Sequence, residues 1–363
     1  MKVNQTISAT IRGAILFPLY WILAIGPGYA QTRENRGGGA LRILRVAVPV
    51  TDLRREPSKP SPTMEYDPME ESQLLYGDPV EALEIIEETD PWPRTFAQGT
   101  ADRMIKMRSW ARVSAVNQPE FNHNQRWEGY PGWVDLAHLT TDPGDWKPNL
   151  VVAAKLGKVR LTPAMDAPAT LTFSIGTRLV GITEMVPRRR GAKPWWKVRL
   201  LDGSTGWIRA DEVALLPEGK TPSDSWELRR KIVRTAHRFL GDPYYWGGRS
   251  TCNPLASGPP HTGVDCSGLV GLAYQANGIS IPRDAQEQWM KAAEVSREQL
   301  LPADLVFLCD PMDPNRASHV MLYIGDDLVI EGPGTGSAVR QIGLTQRLKE
   351  AEGRRVVYGS YLP

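Results

Sequence analysis

The heptapeptide Gly263-Val-Asp-Cys-Ser-Gly-Leu269 (GVDCSGL) joins a glycine-rich loop to an apolar segment. The apolar residues that follow recur at the spacing of a helical face, and they are Leu269, Val270, Leu272, Ala273 and Ala276. Asn277-Gly278 then supplies a left-handed cap that ends the helix. The pattern therefore predicts a helix over 266–276 with Cys266 in its first turn.

The first turn of a helix favours a negatively charged sulfur. Free N–H groups and the helix dipole stabilise a thiolate there by up to about 1 kcal/mol. A catalytic cysteine needs a lowered pKa and partial exposure, and we expect both of Cys266. The dipole alone is too weak, so the nucleophile requires a basic partner. A small buried apolar residue is the alternative interpretation of Cys266 taken alone.

A predicted β-hairpin supplies that partner. The run Ala317–Ile324 turns at Gly325-Asp326-Asp327 and returns at 328–331. Across such a turn His319 and Glu331 have the same parity, so their side chains share a face at diagonal positions. We interpret His319 as the general base and Glu331 as the carboxylate that orients it. A structural histidine and a surface carboxylate are the alternatives for each residue alone.

The C-terminal part, 223–363, combines helices with later strands. A helical spacing runs from Trp226 to Leu240, and Ser223 or Asp224 can cap its start. Strands are predicted near 304–309, 318–324, 328–331 and 355–361. Helices followed by an antiparallel sheet are typical of an α+β domain.

Two related segments precede this domain, at 40–146 and 150–218. Both contain a Gly between β-like runs, then Trp-x-x-Val, then Gly-Trp. The matching residues are Trp110 with Trp195, and Trp133 with Trp207. Short strands between Gly, Pro and Asp turns predict two small antiparallel β-barrels. The first segment has an insertion at about 88–108, which we expect to form a surface loop.

The start of the chain predicts export. A basic beginning precedes the apolar stretch 14–26, and Gly28-Tyr-Ala30 suits a signal peptidase. We interpret 1–30 as a signal peptide, with an uncleaved anchor or a disordered tail as alternatives. The mature chain is expected to be a secreted or periplasmic monomer away from the membrane. A net charge of +2 among 363 residues argues against nucleic acid as a partner.

The chain has 3 cysteines, which is too few for a disulfide scaffold. Cys252 and Cys309 are interpreted as free thiols, with a disulfide between them as the alternative. The histidines outside the predicted hairpin are scattered without ligand spacing, and they are His123, His138, His237 and His261. No metal and no cofactor are therefore expected.

Several motifs together resemble the NlpC/P60 cysteine peptidases, a papain-like family that acts on bacterial cell-wall peptides. The matching stretches are Gly241-Asp-Pro-Tyr-Tyr-Trp-Gly-Gly248, Asp265-Cys-Ser-Gly-Leu269, Ile281-Pro-Arg-Asp-Ala-Gln-Glu-Gln288, Pro302-Ala-Asp-Leu-Val-Phe307 and Ser318-His-Val-Met-Leu-Tyr-Ile-Gly325. The resemblance covers 225–363. It implies a catalytic domain at 223–363, in which Glu331 is an admissible third catalytic residue.

The architecture is similar to that of the γ-D-glutamyl-L-diamino acid endopeptidases of the dipeptidyl-peptidase VI type. In that subgroup two bacterial SH3-like domains precede the catalytic domain. Its members cut L-Ala-γ-D-Glu from the diamino acid of peptidoglycan stem peptides with a free N-terminal amine. The resemblance implies this substrate for the present chain.

The same resemblance assigns roles to further residues. Asp265 would pair with the substrate ammonium with the help of Ser267, and the hydroxyl of Tyr244 would steady the oxyanion. The carboxylate and tyrosine that the first SH3-like domain contributes correspond to Glu71 and Tyr130. Arg283 is expected to bind substrate as well.

Two departures from the subgroup stand out. The loop 249–262 is longer than usual and carries Cys252, and Ala285 stands where a Ser near the amine site is usual. Two other functions remain open: a cell-wall-binding module without catalysis, and an amidase or acyltransferase on the same fold.

Overall fold

Two consecutive parts of the chain form antiparallel sheets of 7 strands with the same strand order. The structure is a computed structural model that describes residues 42–60, 66–89, 107–185, 193–217, 225–251 and 263–363. The first sheet contains β1 (Arg42–Val46), β2 (Val50–Arg54), β3 (Glu70–Leu75), β4 (Pro79–Thr89), β5 (Met107–Glu120), β6 (Glu128–Asp135) and β7 (Leu139–Thr141). The second contains β8 (Leu150–Val152), β9 (Leu156–Arg160), β10 (Ala169–Ser174), β11 (Arg178–Met185), β12 (Trp195–Arg199), β13 (Thr205–Arg209) and β14 (Val213–Leu215).

The two sheets are structural repeats of each other. Their orders, β3-β2-β6-β5-β4-β1-β7 and β10-β9-β13-β12-β11-β8-β14, are identical once each number is shifted by the same amount. Trp133 of β6 pairs with Arg112 of β5, and Arg112 lies two residues after Trp110. In the second sheet Trp207 of β13 pairs with Lys197 of β12, and Lys197 lies two residues after Trp195. The predicted repeat and its matched tryptophans are confirmed.

Closed barrels are not found among the described strands. Each of the two sheets is open, with β3 and β7 at the edges of the first and β10 and β14 at the edges of the second. The last strand of each sheet has 3 residues and pairs with β1 or β8 alone among the described strands. So short a strand leaves few N–H and C=O groups to continue the ladder. The SH3-like identity of these parts stays a prediction.

The C-terminal part has the predicted α+β organisation. Its helices are α1 (Ser225–His237), α2 (Cys266–Gln275), α3 (Ala285–Lys291) and α4 (Leu344–Glu350). Its strands are β15 (Arg249–Ser250), β16 (Gly263–Val264), β17 (Ala293–Glu294), β18 (Leu305–Cys309), β19 (Ala317–Gly325), β20 (Leu328–Glu331), β21 (Arg340–Gly343) and β22 (Val356–Ser360). The main sheet has the order β17-β22-β18-β19-β20-β21. Helices α3 and α4 and strand β21 were absent from the sequence prediction.

Helix α2 is the buried centre of this part. It is apolar on nearly every side, as expected of a helix covered by its neighbours. Helix α1 and strand β19 pack against it. The second sheet also reaches it, because Gln275 donates its side-chain N–H to the carbonyl of Gly176 at 2.8 Å. This packing holds the start of α2, and hence Cys266, in a fixed place.

Some predictions fall outside the described residues. These are the signal peptide at 1–30, the caps Ser223 and Asp224, and Cys252 with most of its loop. The predicted insertion is shorter than expected, because β4 continues to Thr89 and β5 begins at Met107. Cys309 is a free, buried thiol. No helix in the described ranges is both long enough and apolar enough to cross a membrane.

Candidate active site

Cys266 lies at the start of α2, as predicted. The carboxylate of Asp265 caps the helix by accepting the N–H of Gly268 at 2.6 Å. The Cys266 side chain is buried, at 9% exposure, and its sulfur accepts backbone N–H groups of Val320 and Ser267. Val320 follows His319 on β19, so the strand that carries the predicted base lies against the nucleophile.

The expected low pKa of Cys266 is wrong for this structure. Burial and then the nearby charge of Asp265 raise the pKa of the thiol to about 12. Such a rise disfavours the thiolate by about 4 kcal/mol. This exceeds the stabilisation that a helix dipole gives to a thiolate. The resting residue is therefore a neutral thiol. It must transfer its proton to a neutral base when it attacks.

His319 and Glu331 form the predicted pair. Leu322 faces Ile330 in the β19–β20 ladder, which places Glu331 diagonal to His319. The Nε2 of His319 lies 2.7 Å from Oε2 of Glu331, and both side chains are buried. Nδ1 makes no hydrogen bond within the described part of the chain. The imidazole thus has one nitrogen fixed by the carboxylate and one available for the thiol.

Two arginines that sequence reasoning missed also hold Glu331. Arg340 of β21 and Arg347 of α4 donate to its carboxylate at 2.7–3.0 Å. Although burial opposes it, the hydrogen bond and charge of His319, with the hydrogen bonds of Arg347 and Arg340, lower the pKa of Glu331 to about 2. The carboxylate is therefore ionised at any pH at which the protein would work. Neither β21 nor α4 was predicted, so the sequence offered no sign of these contacts.

Tyr244 lies in the same site. Burial, and then the charges of Cys266 and Asp265, raise the pKa of its phenol well above the usual range. The ring packs beside Gly332, where an added Cβ would come within 3.2 Å of Cδ2. An un-ionised hydroxyl near the nucleophile is a suitable donor to an oxyanion.

Asp265 is already occupied by an internal cation. Arg283 donates to both of its oxygens, at 2.7 and 3.2 Å, and also to the hydroxyl of Ser267 at 2.9 Å. The same guanidinium also donates to the hydroxyl of Ser72, on β3 of the first sheet, at 2.7 Å. The predicted substrate contacts of Asp265, Ser267 and Arg283 stay predictions. The geometry assigns these three residues to one another.

A second acidic cluster lies beside this network. The hydroxyl of Tyr130 donates to Asp284 at 3.1 Å and to Glu71 at 3.4 Å. Burial, followed by the charges of Asp284 and Glu71, keeps the Tyr130 pKa well above its usual value. The structure thus brings Tyr130 and Glu71 beside Asp284 of the C-terminal part, and their predicted role in binding substrate stays a prediction. The structure adds Asp284, which sequence reasoning missed although it follows Arg283 in a matching motif.

Asp284 is open on one side. Its side chain retains 41% exposure, while the surrounding protein removes enough water to raise the pKa of its carboxyl to about 6. Arg283 lies 3.5 Å from it, and Arg55 pairs with Glu71 on the other side. The cluster offers two carboxylates and a phenol oxygen to a small cation. Among the described residues no group of His, Cys, Asp and Glu has the arrangement of a metal site.

Comparison with known proteins finds a family that matches the part of the chain that contains this site. Residues 241–355 match the model of the NlpC/P60 family. The chain is 28% identical over 266 residues to a gamma-D-glutamyl-L-lysine dipeptidyl-peptidase of Bacillus cereus, covering 71% of each. It is 25% identical to dipeptidyl-peptidase 6 of Lysinibacillus sphaericus, covering 76% of this chain and 84% of that one.

A solved structure extends the similarity in fold. An NlpC/P60 family protein from Bacillus cereus superposes with a TM-score of 0.65 at 23% identity. The superposition covers 88% of this chain and 100% of that protein. The sheets that precede the catalytic part therefore belong to the shared fold.

Proposed function

The chain contains an NlpC/P60 domain, and we propose that it hydrolyses the bond between γ-D-Glu and the L-diamino acid in peptidoglycan stem peptides with a free N-terminal L-Ala. The names of its relatives support a peptidoglycan hydrolase and a dipeptide product. The observation that carries the finer proposal is the cluster of Glu71, Tyr130 and Asp284 beside the Cys266 network.

The cluster suits the free amine of the substrate. An ammonium leaving water needs carboxylates and hydrogen-bond acceptors around it. Glu71, Tyr130 and Asp284 present such oxygens, and the Asp284 side chain keeps an open side. Asp284 follows Arg283, whose guanidinium binds the Asp265 carboxylate next to Cys266. The amine site and the nucleophile are thus joined by a short buried chain of contacts, and we assign the ammonium to this cluster rather than to Asp265.

The proposed reaction begins from the neutral thiol. His319 accepts the thiol proton at Nδ1 while sulfur attacks the γ-carbonyl carbon, and Tyr244 donates to the oxygen that becomes negative. The imidazolium gives its proton to the departing amine, which leaves a thioester on Cys266. Water then attacks the thioester with His319 as base. L-Ala-γ-D-Glu is released and the thiol is restored.

The first sheet has a direct part in this proposal. It supplies Glu71 from β3 and Tyr130 from β6, and Ser72 binds Arg283. We propose that both N-terminal sheets are SH3-like modules, as in the subgroup that the sequence resembles. We also propose that the protein is exported and acts in the cell envelope, where peptidoglycan lies.

Substrates with a blocked amine should be poor. We expect kcat/KM for N-acetyl-L-Ala-γ-D-Glu-L-Lys to fall by on the order of 10²-fold or more relative to the free peptide, because the carboxylates of the cluster lose their cation. Dipeptide release measured by mass spectrometry checks this. Tyr130→Phe should reduce the difference in kcat/KM between the free and the acetylated peptide. Arg126→Gln should leave that difference unchanged, because it alters only an exposed pair on the same sheet. Equal turnover of both peptides by the unaltered enzyme would contradict the amine site.

Binding of the free-amine peptide should depend on pH. The Asp284 pKa of about 6 means that its carboxyl is neutral below that pH and anionic above it. Only the anion attracts an ammonium, so KM should fall as pH rises from about 5 to about 7. The measurement is KM against pH for the unaltered enzyme and for Asp284→Asn. A variant that keeps the same pH dependence of KM would remove Asp284 from the site.

A further inference from the structure

We propose that Arg347, assisted by Arg340, is a positioning residue that fixes the Glu331 carboxylate for His319 and opposes protonation of the imidazole. This inference rests on the proposed function, since it concerns the same catalytic pair. It adds two residues that lie outside every matching sequence motif.

Both oxygens of the Glu331 carboxylate have hydrogen-bond partners, and the two oxygens have different sets of partners. Oε1 accepts Nε and Nη2 of Arg340, at 3.0 and 2.7 Å, and Nε of Arg347 at 3.0 Å. Oε2 accepts Nε of Arg347 at 2.9 Å and faces Nε2 of His319 at 2.7 Å. Arg347 therefore bridges both oxygens. With every oxygen bound, the carboxylate cannot rotate away from the imidazole without breaking an ionic hydrogen bond.

The surrounding fold places both arginines at Glu331. Arg340 faces Glu331 directly in the β20–β21 ladder. Arg347 is half-buried on α4, whose buried Leu344 donates its N–H to the carbonyl of Asp327 at 2.6 Å. Asp327 belongs to the turn that joins β19 to β20. The turn that sets the His319–Glu331 geometry thus also docks the helix that carries Arg347.

The charges decide what the arginines do to His319. Glu331 carries one negative charge and has two guanidinium groups against it. A protonated imidazole would be a third cation around one anion, so the arginines disfavour it. The resting thiol is neutral and needs a neutral base, and the two guanidinium groups favour that form of the imidazole by repelling its cation.

Other charged groups lie on the elements around the same strand. They are Asp265 and Cys266 at the start of α2, Glu287 on α3, Glu350 paired with Arg340, and Arg354 bonded to the Ser318 hydroxyl. Glu287 accepts backbone N–H groups of the β5–β6 connection instead. Within the described residues, none of these groups contacts the Glu331 carboxylate.

The test is the pH profile of kcat/KM. In Arg347→Gln the acidic limb should move to higher pH by about one unit, because His319 loses an opposing charge and protonates more easily. Arg347→Lys keeps the charge and should hold the limb in place while kcat falls, since the bridging geometry is lost. Lys349→Gln removes the same charge from an exposed position on the same helix and should change neither quantity.

A second readout is independent of turnover. The chain has 5 histidines, so the His319 ring can be titrated by NMR in the Cys266→Ala protein with and without Arg347→Gln. An upward shift of its titration midpoint supports the proposal. An unchanged midpoint, or an acidic limb that moves equally in Arg347→Lys, overturns it. Failure of the proposed function would instead appear as activity in Cys266→Ala, whatever the titration gives.

Discussion

Cys266→Ala should abolish release of L-Ala-γ-D-Glu from L-Ala-γ-D-Glu-diaminopimelate. We expect kcat to fall by on the order of 10⁴-fold or more, because no other group at the start of α2 can form the thioester. The residue is buried and small, so the change to alanine should leave the fold intact. Product analysis by mass spectrometry on defined muropeptides is the measurement.

Controls make this result specific. Cys309→Ala removes another free, buried thiol of the same domain and should retain activity. Dipeptide release by Cys266→Ala at the normal rate would refute the mechanism. A different product from the unaltered enzyme would indicate an amidase or acyltransferase. Binding to intact sacculi without any released peptide would instead favour a cell-wall-binding module.

Arg283→Met should cause the largest loss of stability among single changes near the site. Arg283 is 3% exposed, and its guanidinium joins Asp265 to Ser72 of the first sheet. Although burial opposes it, the charges of Asp265 and Asp284 raise its pKa, so the residue is a permanent cation. Its removal leaves the buried Asp265 carboxylate without its counter-ion, with only the neutral donors Gly268 and Ser267 against it. The free energy of unfolding should fall by about 3–5 kcal/mol.

Urea denaturation of the full chain measures this effect. The double variant Arg283→Met with Asp265→Asn should recover part of the loss, because the unpaired charge is gone. Arg126→Met breaks an exposed pair with Glu128 and should change the free energy by less than about 1 kcal/mol. A loss from Arg283→Met as small as that of this control would show that the buried network contributes little.

Local sequence patterns predicted much of the fold. The apolar spacing after Cys266 and the Asn277-Gly278 cap were sufficient to place α2, and Gly278 has the positive φ of 85° that such a cap uses. Alternation along a strand placed His319 and Glu331 on one face. Barrel closure was not predictable in this way, because it depends on how many residues the edge strands pair.

The site was predicted only where its residues are close in sequence or belong to a recognisable motif. Asp284 was missed, although its neighbours in the chain were predicted, because its partner Tyr130 is 154 residues away. Arg347 was missed because it lies on α4, a helix of 7 residues with too few turns for a clear period. The low pKa expected for Cys266 failed because a helix dipole is a local effect, whereas desolvation depends on everything that covers the thiol.

The sequence by itself determined the helix that begins at Cys266, the hairpin that pairs His319 with Glu331, and the repeat of the two N-terminal sheets. These features follow from periodicity and capping, which act over a few residues. Only the tertiary structure decided the acidic cluster at Tyr130, the arginines around Glu331 and the neutral state of the thiol. These three features depend on contacts between distant segments and on the exclusion of water. Neither can be predicted from the periodicity or capping of a short segment.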